Sequence, residues 1–302
     1  MMSLDTLSST LNSRERAPAH YFPVSPKPLV MEAGFSPLSA DFGNGARDQL
    51  YFQRDREWRR YRETKVAVEP ERHWAVSRAP EHLELHLKAL RWLTETQAHE
   101  LGESPSAEVS ALIEGLAGGQ TPPHQALSSA YHELSLHAQE DLALLAERPT
   151  SSLVMGEISM PSHWAPQRIK EVSFWEIHSP VPGFPRDERV SERLGKMIAE
   201  RGPLVRFVWT VATDDQLDHH PKHRRTPWEE ASALWFRVER QLTVPLEGLG
   251  ALFLIRTYLY PLTALSAEER STLREALTQM PEEVARYKGL WSGRGRLLEA
   301  LV

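Results

Sequence analysis

The chain has 302 residues with a net charge of -6, 41% hydrophobic and 25% charged residues, a balance that excludes collagen-like, coiled-coil and wholly disordered chains. Cysteine is absent, against 13 His and 9 Trp, so disulfides, thiolate nucleophiles, Cys-ligated zinc, protein-held iron–sulfur clusters and thiolate-ligated iron are all excluded. The negative balance also argues against a phosphate-binding surface, hence no nucleic-acid partner is expected.

The start, MMSLDTLSSTLNSRER, has neither an apolar run nor an early positive cluster, so it does not read as a secretory signal. Residues 1–20 are Ser-rich and aperiodic and are expected to be a flexible tail. The next stretch, YFPVSPKPLVMEAGFSPL, reads as an irregular arm laid across a surface. Helical spacing follows over 41–65 (Leu50, Tyr51, Trp58, Tyr61), 79–101 (Leu83, Leu87, Leu90, Leu93) and 107–116, the last ended by Gly118-Gly119. A fourth helix is expected from about 123 to 147, stopped by Pro149.

After residue 150 the period changes to two. Strands are expected at 153–158, 204–211, 234–243 and 252–260, the last two forming a hairpin around Pro245-Leu246-Glu247-Gly248. A helix at 187–200 interrupts them, and helices from Ser266 close the chain. The fold class is therefore α+β, an antiparallel sheet wrapped by N-terminal and C-terminal helices, with 21–302 as one domain: 21–149 mainly helical, 150–302 sheet plus C-terminal helices. The longest apolar run, 251–255, is five residues, far below the roughly 20 needed to span a bilayer. No membrane contact is expected, and a cytoplasmic location is.

Alternation puts arginines on apolar strand faces. Arg240 shares a face with Leu234, Phe236, Val238 and Leu242, Arg256 with Leu252, Leu254 and Tyr258, and Arg206 with Leu204 and Val208. Each needs an anion, because an unpaired buried charge costs several kcal/mol. A hairpin turn centred near 247 would set Glu239 opposite Arg256, a purely structural pair; a bound anionic ligand is the other solution.

Among the histidines, His82 and His86 share a helix face at metal-compatible spacing but lack a third ligand, and read as solvated. His132 and His137 read as structural, and His219, His220 and His223 as exposed in a basic loop. His178 differs. It ends the apolar stretch Phe174-Trp175-Glu176-Ile177 and precedes Ser179-Pro180-Val181-Pro182, which fixes the chain. A core His bonded to a backbone carbonyl is one reading. The other is the single axial ligand of a heme, whose two propionates would also answer the buried arginines.

The segments QEDLALL (139–145), MPSHWAP (160–166), IHSPVPGF (177–184), LVRFVW (204–209), FRVERQL (236–242), LFLIRTY (252–258) and ARYKGL (285–290) occur in the order and rough spacing of the alpha subunit of heme-dependent oxidative N-demethylase. LVMEAGFSPL and the helix with Asp48, Tyr51 and Arg59 also resemble that family's opening, so the likeness covers about residues 21–295. It implies a PAS-like sheet holding heme b through one proximal histidine, by motif position His178 as the metal ligand. The implied reaction is oxidation of a methyl group on a small alkylamine such as dimethylamine, with oxygen, releasing formaldehyde, and with electrons from a separate flavin and iron–sulfur reductase. Arg206, Arg237, Arg240 and Arg256 fall in the motifs lining the cofactor pocket. The distal group polarising oxygen would be Arg240, Arg256 or Tyr258. Two positions depart from the family pattern: Val208 stands where Asn commonly precedes the Trp, and Glu171-Val172 follow Lys170 where Lys-x-Gly is common. Two other readings are a heme-binding PAS-like sensor without turnover and an interaction protein with no cofactor.

Overall fold

The computed structural model describes residues 10–25, 34–76, 80–147, 151–184 and 187–302. Residues 1–9 of the expected tail, 26–33 of the arm, and Pro149 lie outside the described residues. Seven strands form one sheet: β1 (Ser36–Pro37), β2 (His73–Ala75), β3 (Asp141–Ala146), β4 (Ser152–Glu157), β5 (Leu204–Ala212), β6 (Trp235–Pro245) and β7 (Gly250–Pro261). Their order is β1-β5-β6-β7-β3-β4-β2, with every pairing antiparallel. The helices are α1 (Trp58–Val66), α2 (Pro80–Leu101), α3 (Ala107–Ala117), α4 (His124–His137), α5 (Phe174–His178), α6 (Glu188–Glu200), α7 (Ala267–Gln279), α8 (Glu282–Tyr287) and α9 (Arg294–Ala300). The class is α+β, as alternation and helical spacing indicated. Among the described residues no helix is long and apolar enough to cross a membrane.

Two elements differ from the sequence reading. The expected helix over 123–147 ends at His137, and Asp141–Ala146 is instead β3, between β7 and β4 and buried at every residue. A strand buried on both faces loses the alternation that marks a half-exposed one, and its short apolar run cannot be told from a helix by periodicity. The expected helix over 41–65 is broken: a 3-10 turn spans Gly45–Gln49 and α1 starts only at Trp58. Between them Phe52, Gln53, Arg54 and Asp55 are buried in non-helical backbone, with the N–H groups of Gln53 and Asp55 bonded to Glu140 and Gln139. Side chains 87 and 84 residues away thus replace helical hydrogen bonds. Three strands come from the N-terminal half, so the sheet is assembled from both halves of the chain.

Residues 10–20 pack against the body. Asn12 is buried, donating to the Glu100 carbonyl at 2.8 Å and accepting from the Arg54 N–H at 3.1 Å.

The core has two main parts. Leu142, Leu144, Leu242, Leu252 and Leu254 pack with Leu85, Leu90, Leu93, Leu127 and Leu134 of α2 and α4. Trp209, Phe236, Val238 and Tyr258 pack with Leu273, Leu277, Val284 and Leu297 of α7–α9. The hairpin closes at Leu246–Leu249, where Glu247 and Gly248 take positive φ. Its register pairs Arg240 with Arg256 and Glu239 with Thr257, one residue away from the expected Glu239–Arg256 pairing. Because side chains alternate, that single step puts Glu239 and Arg256 on opposite faces of the sheet. One face carries Val238, Arg240, Leu242, Leu254, Arg256 and Tyr258, all buried; the other carries Arg206, Val208, Glu239, Gln241 and Ile255, all half-buried. The second face is where the sheet is open.

Candidate cofactor site

His178 is set by a single helical turn, not by the strand end that the apolar run suggested. Ser173 caps α5: its Oγ accepts from the Glu176 N–H at 3.2 Å, and the Glu176 carboxylate accepts from the Ser173 N–H at 3.1 Å. This reciprocal pair satisfies two orphan donors and defines where the turn begins. The prolines at 180 and 182 forbid its continuation, and a turn from the Val181 N–H to the His178 carbonyl at 2.9 Å ends it. The imidazole is held between Phe174 and Phe184, at centroid distances of 4.1 and 5.4 Å. Its Nδ1–H donates to the Phe174 carbonyl at 2.7 Å. The proton is therefore on Nδ1 and the lone pair on Nε2, the tautomer a metal ligand needs. Burial, reinforced by the positive charge of Arg206, holds the imidazole below its ordinary titration range despite the opposing hydrogen bond to Phe174. The ring is neutral at pH 7.

Arg206 lies on the open face. Its Nε is buried without a hydrogen-bond partner among the described residues, and its guanidinium carbon stands 5.7 Å from the Phe35 ring centroid. Burial depresses its affinity for a proton and Glu239 opposes that. Beside it, Val208 and Ile255 are half-buried and belong to none of the apolar clusters among the described residues. Val208 faces Glu239 across β5 and β6, so a carboxylate adjoins the position where the polar Asn of the family pattern is replaced.

The other arginines are answered by protein. Arg237 donates to Ser162 Oγ at 2.9 Å and to the carbonyls of Met160, Gln216 and Leu217. Arg240 donates to the carbonyls of Asp48, Leu50 and Tyr51. Arg256 pairs with Asp55 at 2.9 Å, both side chains fully buried, and stacks 3.8 Å from the Tyr61 ring centroid. The Tyr258 hydroxyl donates to Gln53 Oε1. Arg240, Arg256 and Tyr258 therefore sit on the face opposite Arg206, under the segment 48–61. The expected cluster of arginines is divided by the sheet.

Groups that a heme would need are present: a neutral imidazole with a free Nε2, a half-buried arginine whose Nε has no partner among the described residues to meet a propionate, and half-buried apolar strand residues to meet the macrocycle. By contrast, a surface depression of about 500 Å³ lined by Pro37, Leu38, Ser39, Gln49 and Gly202–Leu204 contains no titratable side chain. Sequence inspection passed over Lys288. Its ammonium donates to the Trp209 carbonyl at 2.6 Å and lies 4.8 Å from that indole, and burial lowers it to about 8, against the pull of Glu239. No periodicity marks it, because it follows the last residue of α8.

Several histidines read as solvated are buried. His86 is fully buried, with Nε2 on the Val76 carbonyl at 2.7 Å and Nδ1 on the Tyr131 hydroxyl at 2.9 Å. His219 and His220 are buried in a loop whose Arg225 pairs with Asp214 at 2.9 Å, while Asp218 pairs with Arg72 of the turn at 70–72 at 2.6 Å. Burial lowers His86 and His163 to about 4 and His219 to about 3. Between pH 6.5 and 4 the unfolded chain takes up protons that these three folded sites refuse, so acidification costs stability. Glu100, raised by burial to about 7, and Asp141, raised by burial to about 6, have the opposite sign. With His137, His178 and His220 also lowered by burial, the histidines outnumber these two carboxyls, so stability is expected to fall on acidification over that window. Urea unfolding at pH 7, 6 and 5 measures it, and a stability that rises on acidification would contradict it.

Residues 54–298, from the segment before α1 into α9, match the family described as haem-dependent oxidative N-demethylase, alpha subunit-like. The matched span contains His178, Arg206 and the whole open face of β5–β7. The free Nε2 of His178 and the unpartnered Nε of Arg206 agree with the heme dependence in the family's description. The chain belongs to the haem-dependent oxidative N-demethylase alpha-subunit-like family.

Proposed function

We propose that this chain is the heme b-binding, oxygen-using subunit of an oxidative N-demethylase acting on a small alkylamine such as dimethylamine. The observation that carries the reading is the pairing of a free His178 Nε2 with a half-buried Arg206, whose Nε has no partner among the described residues and whose charge acts on the imidazole. In this reading the antiparallel sheet is a PAS-like cradle. The heme is of the b type, since without cysteine no thioether attachment is possible.

His178 Nε2 would be the axial ligand, and the Phe174 carbonyl, by accepting the Nδ1 proton, orients the ring and raises the donor strength of Nε2. Arg206 would meet a propionate, and Arg237, braced by four protein acceptors, maintains positive potential beside Glu239. Heme supplies the iron at which oxygen is activated. Glu239 is the carboxylate on the open face and suits an alkylammonium; it already accepts from Gln241 Nε2 at 2.9 Å and from Ser162 Oγ. Val208 and Ile255 provide the apolar wall that a methyl group needs. The balanced reaction takes dimethylamine, one oxygen molecule, two electrons and two protons to methylamine, formaldehyde and water. No residue of this chain can ligate an iron–sulfur cluster through thiolate, so the electrons would come from a separate flavin and iron–sulfur reductase, in keeping with an alpha subunit that works with partners.

The test is the absorption spectrum of the protein expressed with heme, followed by formaldehyde release from dimethylamine with reductant and oxygen. A Soret band and amine-dependent formaldehyde are expected. A Soret band with oxygen consumption that ignores the amine would leave a heme-binding sensor and remove the demethylase.

A further inference from the structure

A second cluster of ligand-type side chains lies near the far edge of the sheet, at β2 and β4. His73 on β2 and Glu157 on β4 are register partners, so backbone pairing fixes them side by side, and His132 comes down on them from α4. One donor atom from each lies within 4.8 Å of the others. Glu157 Oε2 is 3.2 Å from His132 Nδ1 and in contact with His73 Nδ1. The two imidazole rings are 4.8 Å apart and cross at 70°. We propose that His73, His132 and Glu157 bind a divalent transition metal of the zinc type, separately from the heme site.

Orphaned buried atoms point to a missing cation. Glu157 Oε1 and His73 Nε2 are buried without a hydrogen-bond partner among the described residues. The neighbouring Asp141 Oδ1 and Glu140 Oε2 share that condition, and the ammonium of Lys65, 3.9 Å from Asp141, is the buried cation that faces all three carboxylates. A buried carboxylate oxygen without a donor is costly, and an ion at Glu157 relieves it. Two imidazole nitrogens with one carboxylate favour zinc or a neighbouring first-row metal over calcium or magnesium, which prefer oxygen. His132 is 38% exposed while Glu157 is fully buried, so the cluster opens to solvent on one side. That opening is an entry path and leaves room for a water as fourth ligand.

The competing description is a carboxylate bridged to two imidazoles by hydrogen bonds, with a proton on His73 Nδ1. In the proposed site the metal takes His73 Nδ1 and the ring proton moves to Nε2, so the imidazole binds as a neutral ligand. The experiment is calorimetric titration of zinc into the chelator-treated full-length protein. One zinc per chain is expected, and the same in His178→Ala, which separates this site from the heme reading. His132→Ala, at a half-exposed position, and Glu157→Gln are each expected to bind zinc about tenfold or more weakly, with circular dichroism confirming that His132→Ala is folded. No zinc uptake by the parent protein overturns the proposal. Uptake unchanged in His132→Ala overturns it as well, whatever the folding of Glu157→Gln.

Discussion

His178→Ala is expected to fold and to lack the Soret band of histidine-ligated heme. The side chain contributes one hydrogen bond, Nδ1 to the Phe174 carbonyl, and ring contacts with Phe174 and Phe184 in a half-buried position. Losing one such bond costs about 0.5–1.5 kcal/mol, so the melting temperature should fall by only about 1–2 °C in a chain of this size. The α5 turn keeps its Ser173–Glu176 capping pair, which does not involve residue 178. Heme retention, by contrast, should collapse, because among the described residues His178 is the imidazole that combines a free Nε2 with the unpartnered Arg206 beside it. Added imidazole entering the vacated space should restore part of the band. A variant whose spectrum matches the parent protein would show that another residue ligates the iron.

The second large effect is expected at Asp55. Its carboxylate holds Arg256 at 2.9 Å and also accepts from the Gln139 amide at 3.1 Å and the Glu57 N–H at 3.0 Å. Arg256 Nε and Nη1 have no partner among the described residues, so Asp55 is its one anion in a fully buried pocket. Asp55→Ala leaves that guanidinium uncompensated and should cost about 3–5 kcal/mol of unfolding free energy. Replacing both partners by apolar residues, Asp55→Leu with Arg256→Met, should cost less than the sum of the single changes, since the double variant strands no charge. Urea unfolding of the four proteins measures the coupling. Because Arg256 and Arg206 point to opposite faces, the Asp55→Ala protein that remains folded should keep its heme spectrum. If instead folding were untouched and heme were lost, Arg256 would line the heme pocket, as the family resemblance implied.

The contrast between Arg206 and Arg256 shows how far sequence reading reached. Alternation put an arginine on an apolar face in three strands and required an anion for each. For Arg256 the anion is Asp55, 201 residues away; for Arg240 three neutral carbonyls, from Asp48, Leu50 and Tyr51, take an anion's place. Neither partner is marked by local pattern, because residues 48–55 read as helix and are not. Arg206 is the one left over. His178 was visible for a local reason, an apolar approach followed by prolines, but its donor geometry comes from a helical turn rather than a strand. Glu157 and His73 carried no signal, since their spacing of 84 residues means nothing until β2 and β4 pair.

By itself the sequence determined the chemistry that is excluded and the elements whose period is strong. The absence of cysteine excludes thiolate ligands to any iron, and the α+β class follows from helical spacing in α2 and α3 and alternation in β5–β7. Tertiary structure decided which side of the sheet each charge faces and what meets it there. The physical reason lies in the two-residue period of a strand: one step of register between β6 and β7, set by the geometry of the turn at Leu246–Leu249, exchanges the faces, and the anions that meet each charge come from segments no local window contains. That step separates Glu239, on the open face with Arg206, from Arg256, buried with Asp55 on the other.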